Sequence, residues 1–164
     1  MTKVLVIDYE KCTGCRLCEQ VCSVKHEGVS NPARSRIGVV KWEEEGLYIP
    51  MTCQQCESAP CVSTCPTNAR ILDEQTGKPV TDYDRCIGCK TCIVVCPFGA
   101  VCFDPIAKKI ISCDLCDGDP VCVKFCETAA LQFVDDSEIN KKRRREAAEK
   151  LHEAKRIFTT APAA

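Results

Sequence analysis

The chain is 164 residues long, carries a formal net charge of −1 and is only 5% aromatic, yet it holds 17 cysteines. A chain of this length forms one compact unit or two very small ones, and its apolar content is too thin to stabilise a fold unaided. No run of 18 or more apolar residues occurs, which excludes a membrane-spanning helix.

Val4 to Tyr9 predicts a short strand, followed by a first cysteine run, Cys12, Cys15, Cys18 and Cys22. Residues 16 to about 26 predict a helix that carries Cys18 and Cys22 on one side. Residues 36–50 predict two strands about a Glu-Glu-Gly turn. The second run is Cys53, Cys56, Cys61 and Cys65. A hairpin is expected over residues 69–81, around the segment Asp-Glu-Gln-Thr-Gly, and then comes the third run, Cys86, Cys89, Cys92 and Cys96. Residues 99–111 predict another hairpin, and the fourth run is Cys113, Cys116, Cys122 and Cys126. Leu131 to Val134 predicts a last strand. Beyond it, Ser137 is a candidate helix N-cap, and Ala147, Leu151, Ala154 and Phe158 fall on one helical face. The elements before the tail are all short, so the fold class is α+β, with small antiparallel ribbons and short helices.

Runs one and three read C-x2-C-x2-C-x3-C, the spacing that holds bacterial four-iron clusters, in which the fourth cysteine ligates the other cluster of a pair. Runs two and four relax the middle spacing to four and five residues. Three cysteines in a tight loop aim their sulfurs at three corners of one cube, and the fourth, about one helical turn on, faces a second cube. Gly14 and Gly88 let the backbone wrap closely around such a group and point N–H donors at its sulfides. Lys11, Arg16, Arg85 and Lys90 flank ligands and are expected either to offset cluster charge or to be ordinary solvated charges. A chain with four such runs is expected to carry electrons, with no substrate site and no catalytic residue of its own. No nucleotide-binding glycine fingerprint or Walker loop occurs.

Other uses of cysteine fit less well. Disulfides suit secreted chains, but here a ligand loop arrives before any signal-peptide core could fit, and 17 is odd. Structural zinc takes two separated C-x2-C knuckles, whereas these cysteines crowd into four compact runs. Cys102, the seventeenth, lies in a predicted strand and is expected to be a buried free thiol. With neither a membrane span nor a twin-arginine leader, a cytoplasmic location is expected.

The sequence repeats itself. Residues 6–18 match residues 80–92, and residues 51–69 resemble residues 111–130. The order A, B, A, B suggests a duplicated two-cluster ferredoxin. Adjacent pairing of the runs and nested pairing (one with four, two with three) both join an A to a B. Pro66 and Pro97 follow the last cysteines of runs two and three, as in the bacterial ferredoxin run, and this favours nesting. The inner unit would span about 51–100 and the outer unit 1–30 plus 101–134. Residues 135–164 form a basic tail, which either lies across its own domain, frays, or docks a partner. Nucleic acid is not expected, since no aromatic platform accompanies the five basic residues 141–145.

On these four ordered runs the chain resembles the four-cluster iron–sulfur subunits of the dimethyl sulfoxide reductase type, also found with formate dehydrogenases and hydrogenases. The resemblance implies nested pairing. One cluster would take Cys12, Cys15, Cys18 and Cys126, and a second Cys113, Cys116, Cys122 and Cys22. A third would take Cys53, Cys56, Cys61 and Cys96, and the fourth Cys86, Cys89, Cys92 and Cys65. Members that hold a three-iron cluster replace one cysteine of run three; Cys89 is kept, so four 4Fe-4S clusters are expected. The compact length is most similar to the small subunits of tungsten-containing aldehyde oxidoreductases and related benzoyl-CoA reductase systems of anaerobic bacteria. It implies a tungsten- or molybdenum-pterin catalytic subunit and a flavin subunit as partners, and self-association into chains of clusters. The alternatives are an electron-transfer subunit of a formate dehydrogenase, hydrogenase or benzoyl-CoA reductase complex, or a freely diffusing polyferredoxin.

Overall fold

The computed structural model describes residues 3–73 and 76–135. The expected tail helix and its Ser137 cap lie outside the described residues. The chain divides into one unit, Leu5–Phe133, and a second made of Met1–Val4 with Val134–Ala164. The first unit carries all 17 cysteines.

Eight short strands form two-stranded ribbons among the described residues. The strand β1 (Lys3–Ile7) pairs with β8 (Leu131–Asp135). The pair β2 (Ile37–Trp42) and β3 (Leu47–Thr52) is antiparallel, with Ile37 opposite Thr52. In the next ribbon β4 (Arg70–Leu72) pairs antiparallel with β5 (Pro79–Thr81), and in the last β6 (Val101–Asp104) with β7 (Lys109–Ser112). The α+β class and the three predicted hairpins are therefore present. The first strand stops at Ile7, two residues short of expectation, because Tyr9–Lys11 tightens into a 3-10 turn that leads into the first cysteine loop.

One helix is long, α1 (Leu17–Glu27). It ends at Gly28, whose left-handed backbone (φ +72°) lets its N–H donate to the Val24 carbonyl at 2.9 Å, the usual glycine stop. The others are single turns: α2 (Pro60–Ser63), α3 (Thr91–Val94) and α4 (Val121–Lys124). Each carries the third cysteine of its run, and Cys61, Cys92 and Cys122 are all buried. The helix α1 packs on α4, and α2 on α3.

Thiols make up much of the core. One cluster gathers Cys61 and Cys92 with Ala59, Val101 and Ile110; another gathers Cys22 and Cys122 with Ile37 and Leu131. Charged ties hold the loops. The buried carboxylate of Asp104 accepts from Arg34 Nε at 2.7 Å and from the turn N–H groups of Ile106 and Ala107, and Arg34 also reaches Glu27 on α1 at 2.5 Å. The guanidinium of Arg34 holds the Asp104 carboxyl below its ordinary value. Cys102 corrects an expectation, because it is exposed rather than buried. Successive strand residues face opposite sides, and on β6 Val101 takes the core side.

Candidate metal centres

All four cysteine runs fold into one kind of loop. The residue before the second cysteine is left-handed in each: Gly14 (φ +70°), Gln55 (+51°), Gly88 (+68°) and Leu115 (+58°). After the fourth cysteine, runs two, three and four turn again through Asn68, Gly99 and Ala129, also left-handed, and enter β4, β6 and β8. Run one instead continues along α1, which places Cys18 and Cys22 one turn apart.

The loops bring cysteines from different runs together. One cavity is lined by Cys12, Cys15 and Cys18 with Cys126. A second is lined by Cys53, Cys56 and Cys61 with Cys96. A third is lined by Cys86, Cys89 and Cys92 with Cys65. They enclose similar empty space, part of it open to solvent: about 340, 320 and 350 Å³ respectively. Cys22 lies among Cys113, Cys116 and Cys122, close enough for its charge to raise the thiols of all three, after burial as the larger cause. Cys102 lines none of the three cavities.

Burial raises several of the thiols. It pushes Cys18 and Cys122 up to about 12 and Cys53 up to about 11, although Gln55 N–H and the charge of Arg70 oppose the rise at Cys53. Several sulfurs also accept hydrogen bonds. The backbone N–H of Arg36 donates to Cys22 Sγ at 3.3 Å, and those of Ala100 and Leu115 to Cys96 and Cys113 at 3.4 Å. The Thr91 hydroxyl, 3.4 Å from Cys89 Sγ, lowers that thiol. At Cys65 burial is outweighed by N–H groups of Arg70, Thr67 and Ala69, and the thiol is lowered. His26 was not expected at a site. Its Nε2 lies 3.6 Å from both Cys116 Sγ and the Asp114 carboxylate, and burial lowers its pKa. Arg36 pairs with the same carboxylate.

The flanking cations are less free than the sequence suggests. Lys11 pairs with Asp8 at 2.8 Å and Arg16 with Glu19 at 2.7 Å, while Lys90 sits 4.2 Å over the Phe103 ring. Arg16 and Lys90 nonetheless line cysteine cavities.

The donor sets test what fits. Four cysteines line each of the three cavities, with no histidine or carboxylate among the lining residues. A structural zinc site is a closed tetrahedron about one ion, usually held by two separated C-x2-C knuckles, whereas each of these three sites joins three cysteines of one compact run to one cysteine of another. Four cysteine sulfurs converging from two runs, with N–H and O–H groups turned on sulfur, suit an iron–sulfur cluster.

Comparison with known proteins agrees with that chemistry. Residues 44–136 match the model of the 4Fe-4S dicluster domain, and residues 5–25 that of the 4Fe-4S binding domain. Over 126 residues the chain is 46% identical to the polyferredoxin-like subunit of an aliphatic sulfonate oxidoreductase from Pyrococcus furiosus, covering 76% of this chain and 72% of that one. It is 37% identical over 158 residues to the putative electron transport protein YsaA of Escherichia coli, covering 89% and 98%. Among solved structures it is similar to the active site complex BamBC of benzoyl coenzyme A reductase with benzoyl-CoA. That match has a TM-score of 0.50 and 28% identity, and covers 90% of this chain and 89% of that chain.

Proposed function

The chain belongs to the 4Fe-4S dicluster family, and from that premise we propose that it is an electron-transfer subunit of an oxidoreductase complex, relaying single electrons through four 4Fe-4S clusters. The observation that carries this reading is the gathering of cysteines from separate runs around shared cavities. When bound, a cluster of this kind takes up and gives back one electron.

In this reading Cys12, Cys15, Cys18 and Cys126 hold one cluster, and Cys22, Cys113, Cys116 and Cys122 a second. Cys53, Cys56, Cys61 and Cys96 hold the third, and Cys65, Cys86, Cys89 and Cys92 the fourth. One two-cluster ferredoxin is thus nested in another, with Cys61 and Cys92 in the inner core and Cys22 and Cys122 in the outer. The thiolates bind iron, the N–H and O–H donors on sulfur set the charge each site tolerates, and the buried third cysteines exclude water.

Assembly with a catalytic subunit is supported by two observations. A relative is named as a subunit of a sulfonate oxidoreductase. Each of the three cavities is also lined by an exposed apolar residue, Ile87, Phe98 or Phe125, which a docking subunit would cover. The partner we propose is a tungsten- or molybdenum-pterin subunit with a flavin subunit as acceptor, on the family resemblance of the sequence. The likeness to the BamBC complex favours a benzoyl-CoA reductase system as the second reading. No helix among the described residues is long and apolar enough to cross a membrane.

Iron counts on paired variants test the pairing. If Cys12 and Cys126 share a cluster, the double Cys12→Ala, Cys126→Ala loses about four irons, no more than either single change, and Cys86→Ala with Cys126→Ala loses about eight. The opposite pattern means that run four pairs with run three.

A further inference from the structure

Arg70 is a buried cation that the relay leaves unexplained. It opens β4, directly after the turn that follows Cys65, and is 2% exposed. Its Nη1 donates to Thr81 Oγ1 at 2.8 Å and its Nη2 to Ser112 Oγ at 3.1 Å, with Nη2 also 3.8 Å from Cys61 Sγ. Its Nε is buried without a partner. Among the described residues no carboxylate forms an ion pair with it, whereas Arg34 meets Glu27 and Asp104 and Arg36 meets Asp114. A guanidinium taken out of water without an opposite charge costs more than neutral hydrogen bonds return.

The fold does not require an arginine at this place. The same turn occurs three times: a left-handed residue, a buried alanine, then the buried first residue of a strand. The three copies are Asn68-Ala69-Arg70, Gly99-Ala100-Val101 and Ala129-Ala130-Leu131. Val101 and Leu131 are as buried as Arg70. Where two copies carry an aliphatic side chain, the third carries a charge.

What surrounds that charge is sulfur from both inner quartets. Arg70 lines the cavity of Cys65, Cys86, Cys89 and Cys92, and its Nη2 reaches Cys61 of the other quartet. A four-iron cube with four thiolates is a net anion, roughly −2 when oxidised.

We propose that Arg70 is the shared counter-charge of the two inner clusters, raising their reduction potentials above those the same sites would have with the leucine found at the outer position. The inference rests on the proposal that these quartets hold clusters. Reduction adds one electron and no proton to a site, so a fixed positive charge in a poorly polarisable interior stabilises the reduced form more than the oxidised one. The anions in turn supply the compensation that no carboxylate gives Arg70.

Anaerobically purified holoprotein is titrated with dithionite and followed by electron paramagnetic resonance. Signals lost in a Cys65→Ala, Cys96→Ala double variant identify the inner pair. Arg70→Leu and Arg70→Gln should keep their iron and make the inner sites at least tenfold harder to reduce, about 59 mV for a one-electron couple. Arg70→Lys should stay close to wild type, and the outer signals should not move. Unchanged inner potentials in Arg70→Leu and Arg70→Gln overturn the proposal. Equal iron loss in all three variants, the lysine included, overturns it too, because Arg70 is then a packing element. Wild-type protein without iron at these quartets sinks the underlying relay reading instead, and that is seen before any Arg70 variant is made.

Discussion

Gly14 and Gly88 hold equivalent places in the repeat and nearly the same backbone, φ +70° and +68°, but their surroundings differ. A Cβ on Gly14 would lie 2.5, 2.7 and 2.8 Å from three carbons of the Tyr48 ring, while one on Gly88 would meet nothing within 4 Å. The Tyr48 ring cannot move away without loss, since its hydroxyl donates to Glu43 at 3.1 Å and Lys41 lies 5.5 Å from its centroid. Gly88→Ala should therefore cost only the left-handed penalty, about 1–2 kcal/mol. Gly14→Ala should add an overpacking cost of about 1–3 kcal/mol. Urea-induced iron loss under argon reads the difference. At a slope of about 2 kcal/mol per M, the midpoint of Gly14→Ala should lie about 0.5–1.5 M below that of Gly88→Ala. In a Tyr48→Ala background the excess should vanish, and the double-mutant cycle isolates it from the other losses of that change. Equal midpoints for the two glycine variants, or an excess that survives without Tyr48, would refute the reasoning.

Two further expectations concern smaller features. Ser23 is fully buried; its hydroxyl donates to the Gln20 carbonyl at 2.8 Å and accepts from Asn31 N–H at 3.0 Å. Ser23→Ala orphans that N–H, so the urea midpoint should fall by the equivalent of about 1–3 kcal/mol, and an unchanged midpoint contradicts the bond. Cys102 is exposed and lines none of the three cavities. Cys102→Ser should keep full iron, and in the wild-type holoprotein a thiol reagent should modify Cys102 alone. Iron loss in the variant would make Cys102 a ligand.

The cysteine runs were legible because ligand spacing is a local property, and so were the hairpins, whose turns carry Gly46, Gly77 and the Asp104 acceptor. The site chemistry therefore follows from short stretches of sequence, and the family match agrees with it. What escaped depends on what lies across the fold. Cys102 was expected inside because cysteine usually packs as a small hydrophobe, but strand alternation gives the core side of β6 to Val101. Lys11 and Arg16 were open to two readings, and their pairing with Asp8 and Glu19 could not be read from the sequence. Arg70 had a readable signal: the match of residues 51–69 to 111–130 stops one residue short of the place where arginine stands opposite Leu131. His26 had none, since Cys116 is brought to it from 90 residues away.

A relay of four clusters fixes both the iron content of the chain and the number of electrons it takes up. Protein purified anaerobically from its native host, with any bound partner removed, is assayed for iron and acid-labile sulfide and then reduced in counted steps. Four clusters give about sixteen irons and sixteen sulfides per chain and an uptake of about four electrons. Eight irons per chain, or uptake of no more than two electrons, would contradict it.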